Sequence, residues 1–110
     1  MKILNRIKRS EDFATVIHKG RSTRLSSYTL HVNKNELGYA RVGISASAKL
    51  GNAVVRNRIK RQVRAICDQV IDYQKISLDI VIVVRKEFLE KTFSDNKSLL
   101  SDFINKQAGL

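Results

Sequence analysis

The sequence predicts an α+β fold. It reads as a single small α/β sandwich, residues 1–110, in the order αββαβα, with a long basic central helix packed on the sheet. Three observations carry that expectation. Segments 26–33 and 39–46 alternate apolar and polar residues with a period of two, and 78–85 is a nearly continuous β-branched run. Segments 10–19, 52–72 and 94–107 instead repeat their apolar residues at helical spacing. With 110 residues, 43% of them hydrophobic, the chain is long enough to bury a core and fits one domain.

The elements follow in order. A basic arm, Lys2, Arg6, Lys8 and Arg9, precedes the first helix. Ser10 is that helix's expected N-cap, and Glu11 and Asp12 fall in the first turn, where negative charge suits the helix dipole. Phe13, Val16 and Ile17 form its apolar side, His18 is an exposed last-turn residue, and Gly20 suits the exit. In "SSYTLHVN", Tyr28, Leu30 and Val32 share the core face, while Ser27, Thr29 and His31 share the other. "NKNELG" then reads as a turn, and Ala40, Val42, Ile44 and Ala46 as one side of the next strand, so the two strands are expected to pair as a hairpin. Asn52, after Gly51, is the expected cap of the central helix. "LDIVIVVR" at 78–85 predicts a buried strand. Ser94 is the expected cap of the last helix, whose stripe is Leu99, Leu100, Phe103 and Ile104. Proline is absent, so Gly, Ser and Asn do the punctuating.

The net charge of +11 is unevenly placed. Residues 1–67 carry 15 Lys or Arg against only Glu11, Asp12 and Glu36, whereas residues 68–110 carry 6 basic and 7 acidic residues. Such a split points to a polyanionic partner. Nucleic acid fits better than membrane, because the longest aliphatic run, Ile80 to Val84, is far shorter than the ~20 residues of a spanning helix. No apolar h-region follows the basic N-terminus, so a cytoplasmic location is expected. Cys67 is the single cysteine, which leaves no intrachain disulfide and no Cys-based zinc site; next to the apolar stripe it reads as a packing residue.

The charge concentrates in "KLGNAVVRNRIKRQVRAI", residues 49–66, which holds six Lys or Arg and no acid. On a helical wheel Val55, Ile59, Val63, Ile66 and Val70 fall within roughly 80°. Arg56, Lys60, Arg64, Asn57 and Arg61 spread over the neighbouring roughly 140°, with Arg58 a little beyond. A solvated helix face would interleave acids at i+3 or i+4, but none occurs between Glu36 and Asp68. Arg56, Lys60 and Arg64 instead form a like-charged ladder with a spacing of ~6 Å, near that of phosphates along a strand. Arginine's planar fork binds phosphate oxygens in pairs, and Asn57 adds a neutral donor and acceptor that can fix geometry or hold a water of a hydrated metal ion.

Intrinsic nuclease chemistry finds little support in these residues. Two-metal hydrolysis needs clustered carboxylates, and the basic half has three, two of them at a helix start. An acid–base pair would require His18 and His31 to converge, which nothing in their spacing demands. No helix-turn-helix and no RNP1-like aromatic pair is visible. Among pure binding modules, a basic RNA-binding module of ribosomal type without a cleavage role remains.

Lys49, Gly51, Asn52-Ala53-Val54, Arg56-Asn57-Arg58, Lys60-Arg61 and Arg64 together resemble the signature of the bacterial ribonuclease P protein component. "NRIKRSEDFATVIHKG", "RVGISASAKLG" and "DIVIVVR" resemble that family's first helix, the strand leading into its basic helix, and its late strand. The resemblance implies a protein without catalytic residues or directly bound cofactors. Its partner would be a catalytic RNA subunit that uses Mg2+ to cut the 5′ leader from precursor tRNA, in a 1:1 holoenzyme. It also implies a left-handed βαβ crossover around the basic helix. Lys49, Asn52, Arg56, Asn57, Arg58, Lys60, Arg61 and Arg64 would contact RNA. Phe13, Ile17, His31, Lys60 and Arg64 would line a cleft for the leader, between the sheet and the first helix. Ile17 stands where many relatives carry an aromatic residue, His31 where many carry Tyr, and Ala48 where Lys is frequent.

Overall fold

The most apolar segment takes the middle of the sheet in the computed structural model, which describes residues 1–108. The elements are α1 (Ser10–Lys19), β1 (Arg21–Arg24), β2 (Tyr28–Lys34), β3 (Arg41–Ser45), α2 (Ala53–Val70), β4 (Leu78–Val84) and α3 (Phe93–Ala108). The strands are ordered β1-β2-β4-β3. β4 runs antiparallel to β2 and parallel to β3, so α2 is the crossover between two adjacent parallel strands.

The expected hairpin between the second and third strands is therefore not formed, because β4 lies between them. The reason is β4 itself. Ile80, Val81, Ile82 and Val84 are all buried, and a strand that is apolar on both faces needs a covering layer on each. The loop after β2 makes room by arching over the start of β4. The Asn35 N–H donates to the Ser77 carbonyl at 3.2 Å, Ser77 Oγ donates to Asn35 Oδ1 at 2.6 Å, and Asn35 Nδ2 donates to Asp79 Oδ1 at 2.8 Å. The true hairpin partner of β2 is β1, "RSTR", whose four residues are all exposed and all polar. No apolar alternation marks it, so sequence periodicity passes over it.

One face of the sheet carries the main core. Tyr28, Leu30, Val32, Val42, Ile80, Ile82 and Val84 pack against Ile59, Val63, Ile66 and Cys67 of α2 and Leu100, Phe103 and Ile104 of α3. A polar lock fixes the start of α3 to this layer. Ser27 Oγ donates to Asn96 Oδ1 (2.6 Å), Tyr28 Oη to the Asn96 carbonyl (2.9 Å), and Asn96 Nδ2 to the Phe88 carbonyl (3.0 Å). Burial pushes the Cys67 thiol up to about 12, so at neutral pH it is an unreactive packing group. On the other face the apolar cluster among the described residues is small, Ile7, Val16 and Val81, with Phe13 and Val83 at their margin.

The N-terminal arm is part of this layer rather than a free basic tail. Arg6 bridges Val42, and the Ile7 N–H donates to the Val42 carbonyl at 2.9 Å, which covers part of the outer edge of β3. Asn52 caps α2 as its position predicts, with Oδ1 accepting from the Val55 N–H at 3.1 Å. The other two expected caps differ. Arg9 occupies the N-cap position of α1 without a side-chain cap, and Ser10 is already helical. In α3 it is Thr92 Oγ1 that accepts, from the Asp95 N–H at 3.1 Å, and Ser94 lies inside the helix.

Candidate nucleic-acid interface

The basic strip is built by one helix with two jobs. Ile59, Val63 and Ile66 are at most 1% exposed and anchor α2 to the core. Arg56, Lys60 and Arg64 are half-buried beside that stripe, and Lys49, Asn52, Asn57, Arg58 and Arg61 are exposed. Among the described residues none of these six cations makes an ion pair or a side-chain hydrogen bond with the protein, whereas Arg9, Arg41, Lys75 and Arg85 all pair with acids. Gly51 holds the turn into the helix at φ 146°, a conformation open to glycine, and a Cβ there would lie 3.0 Å from the Val55 side chain.

The second candidate feature is a groove on the opposite face of the sheet. Strand register lines up three rows of side chains there. Ser45, Val83, Thr29 and Arg24 form the first, Gly43, Val81, His31 and Ser22 the second, and Arg41, Asp79 and Asn33 the third. α1 closes the third row. Arg41 donates to Asp79 through Nε (2.9 Å) and Nη2 (2.6 Å), and its Nη1 lies 3.6 Å from Asp12 of α1. The Asp79 hydrogen bonds hold the Arg41 guanidinium still further above its usual range. Over the second row, the Phe13 ring lies flush on Gly43, where a Cβ would come within 2.4 Å of the ring. Only glycine admits that approach.

The first row stays only partly covered. Ser45, Thr29 and Val83 are half-buried and Arg24 is exposed. Phe13, half-buried, and Ile17, 39% exposed, form the α1 wall. Two buried side-chain nitrogens lack a hydrogen-bond partner among the described residues. They are His31 Nδ1, in the groove, and Arg56 Nε, in the strip. Orphaned buried polar atoms are rare in native folds, and both lie in the candidate interface.

Residues 1–108 match the family model described as Ribonuclease P. The ribonuclease P protein component of Bacillus cereus is 40% identical over the whole chain and 96% of its own length. That of Mesoplasma florum is 40% identical over 89% of this chain and 90% of its own. Among solved structures, the Staphylococcus aureus RNase P protein superposes with a TM-score of 0.80 at 31% identity, covering 94% of each chain. The Thermotoga maritima RNase P protein gives 0.79 at 30% identity, over 92% of this chain and 96% of its own. The chain belongs to the ribonuclease P protein family.

Within the ribonuclease P protein fold, the expected site residues fall into two groups. Phe13 lies over Gly43, in the row that also holds His31, and Ile17 lies one helical turn further along α1. Lys49, Asn52, Arg56, Asn57, Arg58, Lys60, Arg61 and Arg64 lie on or just before α2, a helix whose apolar stripe packs on the other face of the sheet. Lys60 and Arg64, expected to serve both, lie at the half-buried flank of α2. Sequence reasoning missed four groove positions, Arg24, Thr29, Gly43 and Ser45. Thr29 shares the alternation that marks His31, but Arg24 sits on the strand without an apolar signal, and Gly43 is defined only by the ring above it.

Proposed function

We propose that the chain is the protein subunit of ribonuclease P, acting in the cytoplasm as one domain bound 1:1 to a catalytic RNA that removes the 5′ leader of precursor tRNA. The observation that carries this reading is the strip of six cations without a partner among the described residues, five of them on a helix that is itself anchored in the core. A like-charged ladder of this kind is stabilised when a polyanion supplies the missing charge. Arg56, Arg58, Lys60, Arg61 and Arg64, with Asn57, Lys49 and Asn52, dock the RNA subunit through its phosphates.

The groove takes the leader. Phe13 offers one face for a base, and such a platform contributes ~1–3 kcal/mol per base. Ile17 supplies apolar contact without stacking, and His31 brings a ring and an unpaired nitrogen. Lys60 and Arg64 meet leader phosphates where the strand passes the β3 edge. The protein's own residues bind and orient; the cleavage chemistry belongs to the RNA subunit and the Mg2+ it holds. Among the described residues no helix is long and apolar enough to cross a membrane.

Reconstitution tests the proposal. Added to a bacterial ribonuclease P RNA at low Mg2+, the protein is expected to raise precursor tRNA cleavage and to tighten binding of precursor over mature tRNA. No gain in cleavage rejects it.

A further inference from the structure

We infer that the chain carries a second binding site for RNA phosphates, in a basin at the end of the sheet remote from the start of α2. The inference rests on the reading of the chain as an RNA-binding subunit of ribonuclease P. Where β2 ends and β4 begins, the surface encloses a cavity of ≈ 810 Å3. Lys19 at the end of α1, Arg21 at the start of β1, Lys34 at the end of β2 and Lys75 between α2 and β4 rim it, above an apolar floor from Val32 and Leu78. Among the described residues no Asp or Glu lines it.

The cations are available. Lys19, Arg21 and Lys34 are exposed and make no ion pair among the described residues. Lys75 alone has a partner, Asp72 at 3.7 Å, an exposed pair of the kind that contributes little. The nearby carboxylate of Asp79 is engaged by Arg41 and Asn35. The basin is far larger than one phosphate, and its charges sit on exposed flexible side chains around an open floor. That suits a polymer of phosphates rather than a small anion that must be desolvated. Among the described residues no aromatic side chain lines it, so it would hold backbone rather than stack bases.

The basin's floor belongs to the core face of the sheet, since Arg21 pairs with Val32 and Lys34 with Leu78, so it is reached from the groove around the edge strand β1. Arg24 lies in the groove's open row and Arg21 on the opposite side of β1, at the basin. Three residues of strand separate them, ~10 Å. The start of α2 lies at the other end of the sheet, about 20 Å away along seven-residue β2, so the basin is separate from the strip. The ligand is thus single-stranded RNA backbone. Two sources share that chemistry, the part of the leader beyond the groove and an unpaired segment of the RNA subunit.

The test compares Arg21→Gln/Lys34→Gln with Lys86→Gln/Lys97→Gln, which removes the same charge elsewhere. Each reconstituted holoenzyme is titrated with precursor tRNA carrying a short leader that ends within the groove, and with a long one. Affinity for the RNA subunit is measured separately. The basin variant is expected to weaken long-leader binding roughly fivefold and to lower its salt slope by about 1.4, from two contacts at ~0.7 each, with short-leader binding within about twofold. The same loss in the RNA-subunit titration supports the basin and assigns it to that RNA. Losses no greater than the control's in every titration overturn it. Wild-type protein that fails to stimulate cleavage with either leader overturns the parent reading and the basin with it; a wild type that stimulates beside an unaffected basin variant overturns the basin alone.

Discussion

The two faces of the sheet are made by the same strands and have opposite uses. Tyr28, Leu30 and Val32 look into a dry layer shared with α2 and α3. Thr29, His31 and Asn33, one position along in each case, lie on the face that α1 only partly covers. A period of two thus lets one strand hold the fold together on one side and present a half-open polar floor on the other. Stability and recognition are separated by a single residue step, so variation in the groove need not disturb the core.

Neighbouring substitutions across that divide give the sharpest test. Leu30→Ala, at a site with no exposure, is expected to cost about 2–5 kcal/mol in urea unfolding. Thr29→Ala, next to it, is expected to stay within about 0.5 kcal/mol. Equal losses would break the comparison. Asn96→Ala comes next, at about 1–3 kcal/mol, because it strands the Ser27 hydroxyl inside the core layer and removes a hydrogen bond to the Phe88 carbonyl. Tyr28→Phe should cost less, since the Asn96 carbonyl it leaves has a second lone pair.

Gly43→Ala sharpens the comparison from the groove side. A methyl group there meets the Phe13 ring, so the ring must move, at an expected cost of about 1–3 kcal/mol. The cost should shrink when Phe13→Ala is already present, a coupling of about 0.5–3 kcal/mol in a double-mutant cycle. Gly43→Ala should also weaken precursor tRNA binding while mature tRNA binding holds. Additive unfolding costs would show that the ring does not rest on this glycine.

The core face was legible because it is periodic. Ile59, Val63 and Ile66 of α2 and Leu100, Phe103 and Ile104 of α3 were expected inside from spacing alone, and they are. The strip was legible for a different reason, as an absence of acids over a long stretch. What escaped was set by neighbours distant in sequence. β1 has no apolar residue and becomes a strand only because β2 offers it an edge. The hairpin expectation failed because β2 and β3 each pair better with β4, and nothing local to their turn encodes that choice. In the groove, Phe13 and His31 were named through the family resemblance, whereas Gly43 and Arg24 acquire their places only through contacts with distant parts of the chain.

The smallest stability effect is expected where the functional effect is large. Arg58 is exposed and has no partner within the described chain, so Arg58→Gln removes no packing and no ion pair. It also relieves repulsion among neighbouring cations, and like-charged helix neighbours destabilise by ~0.2–0.5 kcal/mol. The urea midpoint should therefore stay level or rise slightly. Affinity for the RNA subunit should instead fall, and the slope of log affinity against log salt should shrink by about 0.7–0.9 for one lost phosphate contact. Phe13→Ala makes the opposite case, with the salt slope unchanged and precursor binding reduced, because it removes a ring and no charge. If both variants lowered stability and salt slope together, strip and groove would be one surface, and the division between the two faces would have no functional meaning.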